Sequence, residues 1–210
     1  MIYEFPDLAA PIRQGDIFIG LPRIDFSLSR LPIVSEDGGL EEINWGEIAR
    51  NVGLVTAMLA IRPVCAIVAT QDCDNQHGRD ITLCEIREFR DVERGSKDIT
   101  SIKRWVRIIT QHARLNQKWF YLPPDPLIGF KEKMAVDFMV TLRVPRVDIE
   151  ELRNLRIGRL NYIADEHFRE RISDFFRRYP YDEWYPLSLE EFEEYKRDYP
   201  EVDSFPWQIK

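Results

Sequence analysis

Seven consecutive residues, Val64-Cys65-Ala66-Ile67-Val68-Ala69-Thr70, constrain the fold of this 210-residue chain more than any other segment. The run carries no charge and is rich in β-branched side chains. It lacks the apolar–polar alternation of a strand with one wet face, so it predicts a strand covered on both faces. Arg62-Pro63 introduces it and Gln71-Asp72-Cys73-Asp74 stops it. A second short segment, Gln14-Gly15-Asp16-Ile17-Phe18, sets a turn residue and an acid at the entry of another apolar run. That run predicts a strand over residues 15–21, closed by Pro22.

Further strands are expected over residues 54–61, 81–86, 118–122 and 134–144. Residues 35–46 read as a loop around Gly38-Gly39, residues 44–51 as a short helical turn, and residues 74–80 as a polar connection. Between 101 and 116 the period changes. Ile102, Val106, Ile109 and Ala113 recur at helical spacing, with Lys103, Arg107 and Arg114 opposite, which describes an amphipathic helix with a basic face. A longer helix is expected over 161–178, with Ile163, Phe168, Ile172, Phe175 and Phe176 as its apolar stripe and Pro180 beyond its end. Ser188 and Glu191 form a capping box ahead of a last acidic helix over 188–197. Five or six short strands with these helices make a mainly β protein with α additions: a barrel over residues 1–160 with the helix 101–116 inserted, and a helical extension over 161–210.

Charge is uneven. Residues 180–210 hold nine acids and three bases, so they carry −6 of the net −7. The same stretch contains Trp184, Tyr185, Phe192, Tyr195 and Trp207, and a purely solvating tail would lack such rings. An acidic segment with aromatic anchors is suited to docking on a protein surface. No apolar run approaches membrane-span length, and no basic segment leads into an apolar one at the N-terminus, so a cytoplasmic protein without a membrane partner is expected. Three cysteines do not make a disulfide framework and suit a reducing compartment; Cys65 and Cys84 are expected as core fillers. Asp72, Cys73, Asp74 and His77 do not have a zinc spacing and read as a polar turn, so no metal or cofactor is expected. His112 and His167 read as surface or packing residues.

The order Gly15-Asp16-Ile17, Arg62-Pro63 before a buried strand, and Gly158-Arg159-Leu160 before the Phe168 helix resembles the MazF/PemK family. The likeness runs over about residues 15–176. It implies an SH3-like β-barrel. Family members are metal-independent endoribonucleases in which the 2′-hydroxyl attacks the adjacent phosphate, and the resemblance places their catalytic arginine at Arg62. Their second group, a Thr or Ser just after the next strand, has no counterpart here, because Arg87, Glu88 and Phe89 follow Glu85-Ile86. Two functions therefore stand side by side. The first is a non-catalytic regulatory module of a prokaryotic stress or antiphage system that holds a protein partner through Trp184, Tyr185, Phe192, Tyr195 and Trp207. One such relative is the anti-sigma component of a CRISPR-linked Lon-protease module, which would make a sigma factor the partner. The second is a toxin that cleaves single-stranded RNA, with Arg62 catalytic and the basic face of Lys103, Arg104, Arg107 and Arg114 on the RNA backbone; that face also suits an acidic partner. A homodimer stays open. If Arg62 is structural, Asp72 or Asp74 is its expected partner.

Overall fold

The computed structural model describes residues 2–35, 37–51, 55–92, 103, 118–177, 189–198 and 200–201. In chain order these form β1 (Tyr3–Glu4), β2 (Asp16–Asp25), β3 (Leu31–Val34), β4 (Leu40–Ile43), α1 (Trp45–Asn51), β5 (Ala60–Val68), α2 (Asp72–His77), β6 (Asp80–Glu88), α3 (Phe89–Val92), β7 (Trp119–Leu122), β8 (Met134–Pro145), α4 (Arg146–Glu151), a 3₁₀ turn (Arg153–Leu155), β9 (Arg156–Leu160), α5 (Tyr162–Phe176) and α6 (Leu189–Asp198). The chain divides into two units, Met1–Phe175 and Phe176–Lys210, and α6 lies in the second.

The first unit is a curled antiparallel sheet of seven strands in the order β1-β9-β2-β5-β6-β8-β7, with β3 and β4 as a separate hairpin. Its two edges approach each other. Tyr3 on β1 donates its hydroxyl to the carbonyl of Pro123, just past β7, at 2.8 Å, and its ring meets Phe130 edge-on at 6.0 Å. The sheet is thus a half-barrel whose rims are tied by one tyrosine. Burial pushes the Tyr3 phenol well above its ordinary range, so it stays a donor at any physiological pH.

The apolar run of β5 sits near the middle of the sheet and is covered on both faces, as its lack of alternation requires. Ile67 joins Ile17, Cys84, Ile86, Val136 and Phe138 on one face, where Ala164 and Phe168 of α5 complete the core. Phe168 meets Phe120 at 5.4 Å and Phe138 at 5.9 Å between ring centroids. On the other face Val64, Ala66 and Val68 join Phe18, Leu21, Leu83 and Leu142, closed by Ile149 of α4. Cys84 is buried and Cys65 packs against the first core; burial pushes both thiols up to about 12, so neither is reactive.

Several expectations are corrected. Pro22 does not close β2, which runs on to Asp25; Pro22 lies opposite Pro63 in the β2–β5 register. A bulge between Phe18 and Leu21, with Gly20 at φ +72°, returns Leu21 to the same core as Phe18. Of the described residues 55–61, only Ala60 and Ile61 enter a strand, as the start of β5. The Gly38-Gly39 loop is the tight tip of the hairpin β3–β4, and residues 72–77 form a short helix in place of a turn. On α5, Phe168 is buried, whereas Ile163 and Phe176 are exposed. The helix expected at 101–116 lies outside the described residues except for Lys103, which is exposed. No helix among the described residues is long and apolar enough to cross a membrane.

Candidate functional site

The two motifs singled out in the sequence meet in space. The backbone N–H of Gly15 bonds the carbonyl of Val68 at 3.0 Å, the Gln14 amide side chain donates to Ala69 at 2.8 Å, and the Gln14 N–H donates to Asp72 at 2.8 Å. Gly15 needs its φ of +84° to make this turn, and a Cβ there would lie 2.8 Å from Asp165 Oδ1.

Asp16 is fully buried and is the anchor of this junction. Its Oδ2 accepts from the Arg13 N–H at 3.0 Å, from Arg156 at 3.0 Å and from Arg159 at 3.1 Å, and Arg159 Nε donates to its Oδ1. Arg156 and Arg159 use their other donors on the carbonyls of Asp7 and Pro11. Two buried guanidinium groups on β9 therefore share one carboxylate and tie the N-terminal lead-in to the sheet. All three side chains are nine-tenths or more buried. Gly-Asp-Ile and Gly-Arg-Leu are thus the two halves of one sealed structural lock.

Beside it, Arg169 of α5 bridges Asp165 on the same helix at 2.7 Å and Asp72 of α2 at 3.2 Å. Asp165 Oδ1 is buried without a hydrogen-bond partner. Burial, and the neighbouring Asp72 charge, raise the Asp165 carboxyl from 3.8 to about 6 against the pull of Arg169 and Arg159. Asp165 and Arg169 were not anticipated as partners of the Asp72 motif, because helical spacing alone does not show which turn meets α2.

Arg62 lies at the opposite end of β5 and is half exposed. Its partners are neither Asp72 nor Asp74. Its Nε donates to Asp25 at 2.7 Å and its Nη2 to Glu85 at 3.1 Å. Arg23, directly opposite Arg62 in the β2–β5 register, pairs with the same two acids, at 2.8 Å to Asp25 and by a direct bond to Glu85. Glu85 is 3% exposed and Asp25 is 44% exposed, so the two arginines are held from below by a buried acid and from above by an open one. The hydrogen bond from Arg62 and the nearby guanidinium charges hold the Asp25 carboxyl below its ordinary value. A glutamate in the apolar context Leu83-Cys84-Glu85-Ile86 is the signal that exposes this network, because a charge in a core strand demands a counter-charge.

Arg23 also lines an open groove of about 400 Å³ between Pro22–Ile24 of β2 and Met139–Arg143 of β8. Thr141 is among its lining residues. Arg143, on the same wall, bonds Asp80 at 3.0 Å. Each arginine around this groove is therefore matched by a carboxylate. The groove's rim and the segment beyond it are apolar: Ile24, Phe26, Leu40, Trp45, Met58, Ile61 and Met139 are all between 46% and 64% exposed. Among the described residues, ten of the exposed large apolar side chains fall between 24 and 61, and of that segment only Leu31 and Ile48 are buried apolar residues.

Of the basic residues expected on an RNA or partner surface, Lys103 is exposed and Arg104, Arg107 and Arg114 lie outside the described residues. Trp184, Tyr185 and Trp207 lie outside them as well; Phe192 and Tyr195 belong to α6. Among the described residues no three His, Cys, Asp or Glu side chains come together to hold a metal ion. Compared with known proteins, the chain matches no family model, no curated protein and no solved structure.

Proposed function

We propose that this chain is a non-catalytic, protein-binding regulatory module built on a MazF/PemK-like, SH3-like barrel. The observation that carries the proposal is the neutralised state of Arg62, held at once by Asp25 and Glu85. Phosphoryl-transfer chemistry on RNA needs a cation aimed at the developing phosphorane charge. An arginine already matched by two carboxylates, one of them buried, has little field left for a phosphate, and a nucleic acid approaching Asp25 meets a negative charge first. A protein partner needs apolar anchors with polar groups around them. Ile24 and Met139, which line the Arg23 groove, and exposed Ile61, opposite Ile24 in the β2–β5 register, supply that arrangement. A prokaryotic stress or antiphage setting, with a sigma factor as the first partner to try, rests on the family likeness alone.

The second reading, an endoribonuclease, draws on Thr141, a hydroxyl-bearing residue that lines the groove with Arg23. Incubation of the purified full chain with single-stranded RNA separates the two. The proposal expects no cleavage, and expects a stoichiometric protein partner to be retained by the wild type and lost from Ile61→Asp. Cleavage that disappears in Arg62→Ala overturns it.

A further inference from the structure

The segment between β2 and β5 carries an open sheet edge. β3 is flanked on both sides: β4 pairs along one, with Leu31 opposite Ile43 and Val34 opposite Leu40, and residues 56–58 bond along the other, through Val34 N–H to Thr56 O and Met58 N–H to Pro32 O, both 2.8 Å. Among the described residues no strand pairs with the outer side of β4. Leu40, Glu41 and Glu42 are exposed. A short edge with two adjacent charges resists pairing with its own kind. Two copies joined antiparallel along β4 would set Glu41 opposite Glu42 of the other copy, and like charges directly opposite one another are destabilising. The segment 24–61 adds to this: its described residues hold five acids (Asp25, Asp37, Glu41, Glu42 and Glu47) against two bases (Arg30 and Arg50).

We propose that the outer edge of β4 is a docking site for an extended segment of a partner protein with the pattern apolar-basic-basic-apolar, added as a further strand. This rests on the protein-binding reading above and names the kind of partner. Main-chain hydrogen bonds to the open edge supply affinity, and side chains supply choice. An added strand sets its basic residues beside Glu41 and Glu42 and its apolar residues beside Leu40 and Ile43. The charges that refuse a second copy of this chain are the ones that accept a basic strand, which is how specificity is built from repulsion and attraction together. Trp45, 46% exposed and two residues beyond the strand, extends the apolar contact.

The test uses the isotopically labelled full chain and a capped peptide with the core Val-Lys-Arg-Val, followed by amide chemical shifts and hydrogen exchange. The peptide is expected to shift and protect amides of β4, with affinity falling as salt rises. The Glu41→Lys/Glu42→Lys variant should bind it about tenfold or more weakly. A peptide N-methylated at alternate residues, which leaves the protein untouched, should lose the protection. A Val-Glu-Asp-Val peptide should not bind. The proposal is overturned by no response at about 5 mM peptide, a concentration that detects even millimolar binding. It is equally overturned by shifts confined to the Arg23 groove or by affinity indifferent to N-methylation. If the double-lysine variant does not fold, the N-methylated peptide decides. None of these results bears on RNA cleavage, so the edge can fail while the protein-binding reading stands, and cleavage dependent on Arg62 removes that reading whatever the peptide does.

Discussion

Asp165→Asn isolates a charge that the fold holds at a cost. Asp165 has a carboxylate oxygen buried without a partner, and its carboxyl is raised from 3.8 to about 6, first by burial and then by Asp72. A folded-state value above the unfolded one means that the native state prefers the protonated form. The group's contribution to stability is therefore complete below about pH 4 and is lost as pH rises through about 6. At about 1.4 kcal/mol per pH unit, a shift of this size corresponds to roughly 3 kcal/mol. The side chain is 15% exposed and bonded to Arg169, so screening reduces the figure to about 1–2 kcal/mol. Asparagine has nearly the same shape and no charge. Asp165→Asn should therefore be more stable than the wild type by about 1–2 kcal/mol at pH 7.5 and nearly equal to it at pH 4. Urea unfolding at several pH values measures this, and the difference between the two proteins cancels the titrating groups that do not interact with Asp165. A carbon-13 titration of the Asp165 carboxyl reads the midpoint directly. A stability difference that does not change with pH, or a midpoint near the ordinary value of an aspartate, refutes the reasoning.

Removing Asp16 leaves Arg156 and Arg159 buried without their shared acid, so Asp16→Ala should cost about 3–5 kcal/mol in urea unfolding. Phe168→Ala empties the place where α5 meets Phe120 and Phe138 and should also cost about 3–5 kcal/mol, with loss of near-ultraviolet dichroism from the same rings. Glu85→Gln removes the buried counter-charge of Arg23 and Arg62; the variant should elute from heparin at higher salt than the wild type, and Arg62→Ala in the same background should reverse the gain.

The strands and the main helix were legible because their signals are local. The unbroken apolar run of β5 and the Phe168, Ile172 and Phe175 part of the α5 stripe each follow from what a single element must bury, whereas β8 turns Val136 and Phe138 to one core and Leu142 to the other. The missed pieces depend on non-local pairing. β4 is four residues long and mostly exposed, so its apolar content gave no period to detect; it exists because β3 offers it a ladder. In the sequence β9 shows only a motif before a helix, yet Gly158 lies opposite Ile17 and Arg159 opposite Asp16 in the sheet. Pro22 marks a stop in the sequence because proline removes a ladder donor, yet β2 continues through it to Asp25. The C-terminal aromatic anchors, by contrast, were chosen from composition, which says that rings are present and not what they touch.

The same logic explains why an Arg-Pro motif is a poor reporter of chemistry by itself. Among the described residues, carboxylates are shared between two arginines at two places: Asp16 between Arg156 and Arg159, and Asp25 and Glu85 between Arg23 and Arg62. At the Asp16 lock all members are buried, so exchange with an outside anion would leave a desolvated charge behind, and the arrangement can only be structural. At the Arg62 network, Asp25 and both arginines reach solvent while Glu85 does not. The motif is local, but the two acids that set the arginine's available charge stand 37 and 23 residues away along the chain. Whether an arginine acts on a ligand is decided by those distant partners. Here both acids are bonded to it, and on the proposed reading the exposed apolar side chains of Ile24, Ile61 and Met139 are part of what this face offers a partner.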